Sequence, residues 1–424
     1  MKRIVDIVLG LQWGDEGKGK IVDVIAPKYD IIARFQGGPN AGHTIEFENK
    51  RYVLHTIPSG IFHEGITCVI GNGLVIDLIT LREEIERLIN TGIPVKERLI
   101  ISDKAHLILP THKALDSAYE QAKGSQKIGS TLRGISPSYQ DKIGRNGLRM
   151  GDILLPDFEA RYYAVKSYHY KILEQYHYPV EQIQESHRKF FDAVAFIQQF
   201  RIQDTALYLN NAIQNNKKIL AEGAQGSLLD VDFGSYPYVT SSNTTAAGAC
   251  TGLGIPPNTV NEVYGVFKAY CTRVGSGPFP TELDNELGEY IRIKGNEYGS
   301  TTGRKRRTGW LDIPALNYAI MLSGVTQLIQ TKADVLSQLE EIQICVGYLY
   351  QGKKINYLPY NLQDKITPEY ITVPGWKQDI SQCRNKADLP EAFMNFIETI
   401  SRYVNAPIQY ISVGPDRSQI FSLN

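Results

Sequence analysis

The residues best suited to chemistry lie in two glycine loops near the start of the chain. The first, Gln12-Trp13-Gly14-Asp15-Glu16-Gly17-Lys18-Gly19-Lys20, sets two carboxylates and two ammonium groups among small residues. A glycine loop that opens a helix turns backbone N–H groups toward an anion, and the helix dipole adds to the attraction. Gly14-x4-Gly19-Lys20 matches the first part of the phosphate-loop pattern, but Ile21 stands where that pattern needs a Ser or Thr hydroxyl for Mg²⁺. Asp15 is the substitute ligand, since a carboxylate amid phosphates is costly unless a cation or a proton lies between them. The second loop, Gln36-Gly37-Gly38-Pro39-Asn40-Ala41-Gly42-His43-Thr44, carries a histidine. His43 there could act as general acid or stabilise charge on a transferring phosphoryl group. Together Asp15 and His43 read as a base–acid couple at the carboxyl ends of neighbouring strands, where α/β proteins bind ligands.

A third element reads a base. Thr331-Lys332-Ala333-Asp334 follows the strand candidate Gln327–Thr331 and has the shape of the Lys-x-Asp element of GTPases. One carboxylate there accepts two hydrogen bonds from the guanine ring, which adenine cannot supply in that geometry. Gly299–Trp310 concentrates Arg304, Lys305, Arg306 and Arg307 between glycines and hydroxyls, a pattern suited to gripping a small anion. Further polar loops follow strand-like runs at Glu222–Gly226, Val239–Thr245 and Ser412–Arg417.

The elements that must hold these loops are short apolar runs: Ile4–Gly10, Tyr29–Phe35, Thr67–Ile70, Leu99–Ile101, Lys218–Ala221, Glu262–Ala269 and Gln327–Thr331. They do not alternate apolar with polar, which predicts strands covered on both faces. Leu78–Ile89 has helical spacing with Gly92 as its stop, and Asp312-Ile313-Pro314 reads as a capped helix start. Residues 157–199 are polar, aromatic and helical in character. The expected fold is α/β, a large mostly parallel central sheet with flanking helices and insertions. No linker divides the chain, so residues 1–424 are expected to form a single domain.

Composition narrows the function. With 45 basic and 45 acidic side chains among 424 residues, the chain has no net charge, which argues against a polyanion coat or a membrane-surface binder. The five cysteines form no Cys-x-x-Cys pair, and no apolar run approaches the ~18 residues of a membrane span. These features predict a cytoplasmic protein in a reducing compartment.

Taken in order, Gln12–Lys20, Gly37–Thr44, Gly129–Lys142, Glu222–Gly226, Val239–Thr245, Ser300–Trp310, Lys332–Leu336 and Ser412–Arg417 resemble the adenylosuccinate synthetase family. Its members are GTP-dependent ligases that join IMP to L-aspartate, the first committed step from IMP to AMP. The resemblance implies that Asp15 takes the N1 proton of IMP and His43 assists phosphoryl transfer to O6, with Gln225 as a third catalytic residue. It implies Mg²⁺ held by Asp15 and the carbonyl of Gly42. GTP contacts are implied for Gly14 to Lys20, Gly42, His43, Thr44, Arg306, Lys332, Ala333, Asp334, Ser412, Val413 and Gly414. For IMP the same resemblance points to Asp15, Glu16, Gly17, Lys18, Asn40, Ala41, Gly42, His43, Thr131, Arg145, Gln225, Thr240 and Arg304. For aspartate it points to Ser300, Thr301, Thr302, Gly303, Arg304, Lys305 and Arg306. Arg145 would reach the IMP of a neighbouring subunit, implying a homodimer. Where the family commonly reads Gly-Thr-Thr-x-Arg-Gly-Ile-Gly-Pro-Ala-Tyr, this chain has Gly129-Ser130-Thr131-Leu132-Arg133-Gly134-Ile135-Ser136-Pro137-Ser138-Tyr139, a departure that bears on loop mobility and IMP affinity.

Two other readings use part of these motifs. A GTP-binding regulatory switch would need the hydroxyl that Ile21 lacks and has no use for the His43 loop. A basic-loop nucleic-acid binder rests on Arg304–Arg307 alone.

Overall fold

The computed structural model describes residues 2–48, 50–299, 303–362 and 364–423. The seven non-alternating apolar runs form seven strands of one ten-stranded sheet. In chain order the ten are β1 (Val5–Gly10), β2 (Ile31–Arg34), β3 (Thr67–Ile70), β4 (Leu99–Ser102), β5 (Arg201–Gln203), β6 (Ile219–Glu222), β7 (Val260–Lys268), β8 (Gln327–Thr331), β9 (Ile408–Ser412) and β10 (Ile420–Ser422). Their spatial order is β10-β9-β8-β7-β1-β6-β2-β3-β4-β5. Every pairing is parallel except β9 with β10.

Both faces of the sheet are covered, which explains the missing alternation. Ile7 and Leu9 of β1 point into one core with Phe267 and Leu253. Val8, the residue between them, points into another with Ile21, Val22 and Leu220. Burying both faces uses the main driving force of folding, about 25 cal/mol per Å² of apolar surface removed from water.

The helix read over 78–89 spans Leu78–Asn90 and starts at Asp77, whose side chain accepts from the Ile79 N–H. Asp312 caps the Ile313–Ser323 helix in the same way, through the Ala315 N–H. The aromatic stretch 157–199 contains two helices, Phe158–Gln175 and Gln184–Ile197. Its aromatics build a core: Tyr162 and Phe190 are fully buried and stack with centroids 5.1 Å apart.

Two expectations are corrected. β1 and β2 are not neighbours; β6 lies between them and pairs with both. His43 is not in a loop but opens the strand His43–Phe47 of a hairpin with Lys50–Leu54. Inserting β6 sets its last residue, Glu222, beside His43 at the end of the sheet that carries the Asp15 loop. The order also reverses around β1, so a crevice opens at the carboxyl ends of the central strands.

Candidate active site

The loop after β1 turns sharply before the helix α1 (Lys18–Ile25) begins. Gly14, Asp15 and Gly17 all have positive φ (87°, 61° and 90°), a conformation that glycine adopts freely and aspartate tolerates better than most. The buried Glu16 carboxylate braces this turn from inside, where Oε1 accepts from the N–H groups of Gln12 and Gly14, each at 3.0 Å. Its other oxygen pairs with Lys18 Nζ at 2.5 Å. Gly19 is needed for close approach, since a Cβ there would lie 2.6 Å from the His43 Cβ.

Above the loop lies a cavity of about 530 Å³. Its lining includes the predicted site residues Gly14 to Lys20, Asn40 to Thr44, Thr131, Gln225, Arg306, Lys332, Asp334, Ser412 and Gly414, beside others that were not predicted, such as Arg133 and Leu229. Asp15 and His43 thus share one cavity but differ in their partners. Asp15 is about one-third exposed, and its Oδ2 lies 2.8 Å from Arg306 Nε. That contact is a charge pairing without hydrogen-bond alignment, because the same Nε has no hydrogen-bond partner. His43 is buried, and its Nδ1 lies 2.5 Å from Glu222 Oε1. Glu222 also accepts from the Ser59 N–H at 2.8 Å and the Ser59 hydroxyl at 2.6 Å.

The electrostatics of this dyad favour a neutral imidazole beside an ionised carboxylate. Burial pushes the His43 pKa down, Arg34 and Lys18 add to that, and Glu222 opposes it. Burial alone would raise Glu222, but the His43 and Ser59 hydrogen bonds and the Arg34 charge bring it below the usual range. With Nδ1–H donated to Glu222, Nε2 is the imidazole nitrogen left for a ligand.

Arg306 is fixed from behind by a buried charge cluster. Its Nη1 donates to Glu297 Oε2 at 2.5 Å, while Lys268 Nζ (3.0 Å) and the Tyr270 hydroxyl (2.6 Å) reach Glu297 Oε1. Burial works against the Glu297 anion, but Lys268, Lys332 and Arg306 bring its pKa down to about 2. At the far end of the cavity Lys332 turns the chain with φ 62° and donates to the Gly295 carbonyl at 2.6 Å. Burial pushes Asp334 up, against the pull of Lys332 and Lys20. Lys20 spans from α1 to the turn after β9, donating to Ser412 Oγ (2.8 Å) and the Gly414 carbonyl (2.7 Å). Burial brings its pKa down to about 7, with Asp334 and Asp416 opposing.

Some predicted residues do not line the cavity. Ala333 and Val413 are fully buried behind it. Thr240 is half-buried, its N–H donating to the carbonyl of the lining residue Leu229 at 2.9 Å. Arg304 Nη1 instead donates to the Gly129 carbonyl at 2.9 Å. Gly303 and Lys305 are exposed away from the lining, and Ser300, Thr301 and Thr302 lie outside the described residues. Arg145 is exposed at the end of the Ile135–Gly144 helix, with φ 63°. The serines that depart from the family pattern each find a partner: Ser130 Oγ donates to Asp116 Oδ1 (2.7 Å), Ser136 Oγ meets Ser241 Oγ (2.6 Å), and Ser138 Oγ donates to the Leu107 carbonyl (3.2 Å).

Glu222, Ser59, Lys268, Glu297 and Arg133 were not singled out from the sequence as site residues. Ser59 and Glu222, which hydrogen-bond each other, are 163 residues apart in the chain. Only the strand-then-loop position of Glu222 offered a signal.

One buried cluster elsewhere, His112, Asp141 and His169, has the composition of a metal site. Its hydrogen bonds argue otherwise. His112 Nδ1 accepts from the Leu109 N–H at 2.9 Å, so Nε2 carries the proton and donates to Asp141 Oδ2 at 2.9 Å. That leaves His112 no lone pair for a cation.

Comparison with known proteins places this geometry. Residues 7–421 match the family model described as adenylosuccinate synthetase. The chain is 54% identical to the adenylosuccinate synthetase of Christiangramia forsetii, over 98% of this chain and 99% of the relative. It is 53% identical to that of Bacteroides fragilis, over 98% of each. Among solved structures it superimposes on fully ligated adenylosuccinate synthetase from Plasmodium falciparum, with a TM-score of 0.93, 42% identity and complete coverage of both chains. A cyanophage S-2L succinoaminodeoxyadenylate synthetase shares the fold, with a TM-score of 0.63 and 21% identity over 100% of this chain and 96% of that one.

Proposed function

The chain belongs to the adenylosuccinate synthetase family, and we propose on that premise how its residues divide the work. The enzyme ligates IMP and L-aspartate with cleavage of GTP, giving adenylosuccinate, GDP and phosphate. In our reading Asp15 removes the N1 proton of IMP, which raises electron density on O6. O6 then takes the γ-phosphoryl group of GTP, and GDP leaves. His43, oriented by Glu222, takes a proton on Nε2 as the polyphosphate binds and donates that N–H to the transferring group, and Gln225 holds the nucleotide beside it. The amine of aspartate attacks C6, the C–N bond forms, and the C6–O bond breaks to release phosphate. Phosphorylation matters because a carbonyl-like oxygen leaves poorly and phosphate leaves well.

Such transfer depends on positioning and charge neutralisation more than on covalent chemistry by the protein. Mg²⁺ would supply neutralisation of the phosphate oxygens, and the Asp15 carboxylate with the Gly42 carbonyl would hold it. The donor set suits a hard cation, since both are oxygen ligands on loops that line the cavity. Lys332, Asp334 and the Ser412–Gly414 turn would read guanine, Thr131 would hold IMP, and Arg306 would take an aspartate carboxylate. We further infer a cytoplasmic homodimer, each chain one 1–424 unit, in which the exposed Arg145 reaches the neighbour's IMP.

The observation that carries this reading is the convergence of Asp15 and the His43–Glu222 dyad on one cavity with the Lys332–Asp334 element. The test is phosphate release from GTP by the purified protein. Release should require IMP and L-aspartate together and fail when ATP replaces GTP. Turnover indifferent to IMP and aspartate would contradict it.

A further inference from the structure

The helix Pro110–Ala122 carries His112, Asp116 and Glu120 at intervals of four, so all three lie on one face. All three are buried: His112 fully, Asp116 and Glu120 at 5% and 7% exposure. Carboxylates in such places are costly unless several donors meet them. Here the donors come from one segment. Glu120 accepts from the N–H groups of Ile128 (3.4 Å), Gly129 (3.0 Å) and Ser130 (3.3 Å). Asp116 accepts from the Ser130 hydroxyl at 2.7 Å and the Gly134 N–H at 2.9 Å. His112 then holds Asp141, on the helix that continues this segment. Lys123 Nζ lies 3.2 Å from Glu120 Oε1.

We propose that His112, Asp116 and Glu120 are positioning residues that pre-form the 128–134 loop and thereby present Thr131 and Arg133 to the nucleotide. Both of those residues line the cavity, whereas none of the three touches it. The inference rests on the reading of Thr131 as an IMP contact. The loop has no strand ladder of its own, and Leu132 adopts a positive φ of 55°. Its backbone is therefore set by the two carboxylates, which accept N–H groups that would otherwise need water. The same loop gives its Gly129 carbonyl to Arg304. Fixing it from the helix thus also fixes one end of the basic loop. A loop ordered before ligand arrives avoids the entropy cost of ordering on binding, so its loss should fall on IMP affinity and not on GTP.

The experiment compares the full-length wild type with Asp116→Asn/Glu120→Gln, in which amide groups replace acceptors that face N–H donors. Hydrogen exchange of the ligand-free protein should rise at least about tenfold in peptides covering 128–134 while peptides covering 12–20 stay unchanged. The KM for IMP should rise about tenfold, with the KM for GTP and kcat within about twofold. Ser130→Ala removes only the hydroxyl bond to Asp116. If the double variant does not fold, this milder change should still move exchange and the IMP KM in the same direction. Unchanged exchange at 128–134, or equal rises in the KM values of IMP and GTP, would overturn the proposal. A wild type without IMP-dependent turnover would instead overturn the ligase reading, and exchange would then decide the positioning role alone.

Discussion

The two segments that meet at the cavity hold their reactive groups in opposite ways. Asp15 is partly exposed and paired with Arg306, a residue that itself faces the cavity. His43 is buried and paired with Glu222, which has no exposure at all. A ligand in the cavity can reach the Asp15–Arg306 pair, whereas Glu222 lies outside the lining. In the proposed reaction Asp15 accepts a proton and adjoins a cation, so its charge must be open to the ligand. In the same proposal His43 keeps its Nε2–H aimed at a phosphoryl oxygen, which needs a partner that stays.

Removing the side open to the ligand should have the largest effect. Asp15→Asn cannot take the N1 proton, so turnover should fall by at least about 10³-fold in a phosphate-release assay. Activity within tenfold of wild type would remove Asp15 from that role. Glu222→Gln tests the fixed side. The imidazole should lose its preferred tautomer and aim, lowering kcat about 10²-fold with the KM values nearly unchanged. A change in KM alone would mean that Glu222 serves the fold and not His43.

Arg306→Leu sharpens the contrast from the other direction. It should raise the KM for aspartate about 30-fold, equivalent to ~2 kcal/mol of charge-assisted hydrogen bonding, and leave the KM for IMP nearly unchanged. The smallest effect concerns Lys20. Its pKa is brought down to about 7 in the ligand-free protein, so above that pH the amine is increasingly neutral. A polyphosphate in the adjoining loop favours the ammonium. GTP binding should therefore take up a fraction of a proton near pH 8 and weaken as pH rises from 7 toward 9. Calorimetry in buffers of different ionisation heat would show it, and Lys20→Arg should abolish the uptake.

What the sequence made legible follows the same division. Short-range patterns were readable: β3 and β8 fall where their apolar runs end, and Asp312 caps its helix as its Asp-Ile-Pro setting suggests. The glycine loops were readable because tight backbone turns restrict residue type. The partners were not. Glu222 and Glu297 are single acids in ordinary surroundings, and only the insertion of β6 between β1 and β2 sets the first beside His43. Asp116 and Glu120 sit on a helix where a four-residue acidic spacing looks like a solvated face. Burial against the 128–134 loop is a tertiary fact. Thr240, which the motif match assigns to IMP, joins the site through the backbone, its N–H donating to the carbonyl of the lining residue Leu229.

The central claim is that GTP activates O6 of IMP by phosphorylating it within this cavity. The most direct measurement uses IMP carrying ¹⁸O at C6, with GTP, Mg²⁺ and L-aspartate, and mass analysis of the released phosphate. The account predicts that the label appears in the phosphate at one atom per turnover. Unlabelled phosphate accompanying adenylosuccinate formation would contradict it.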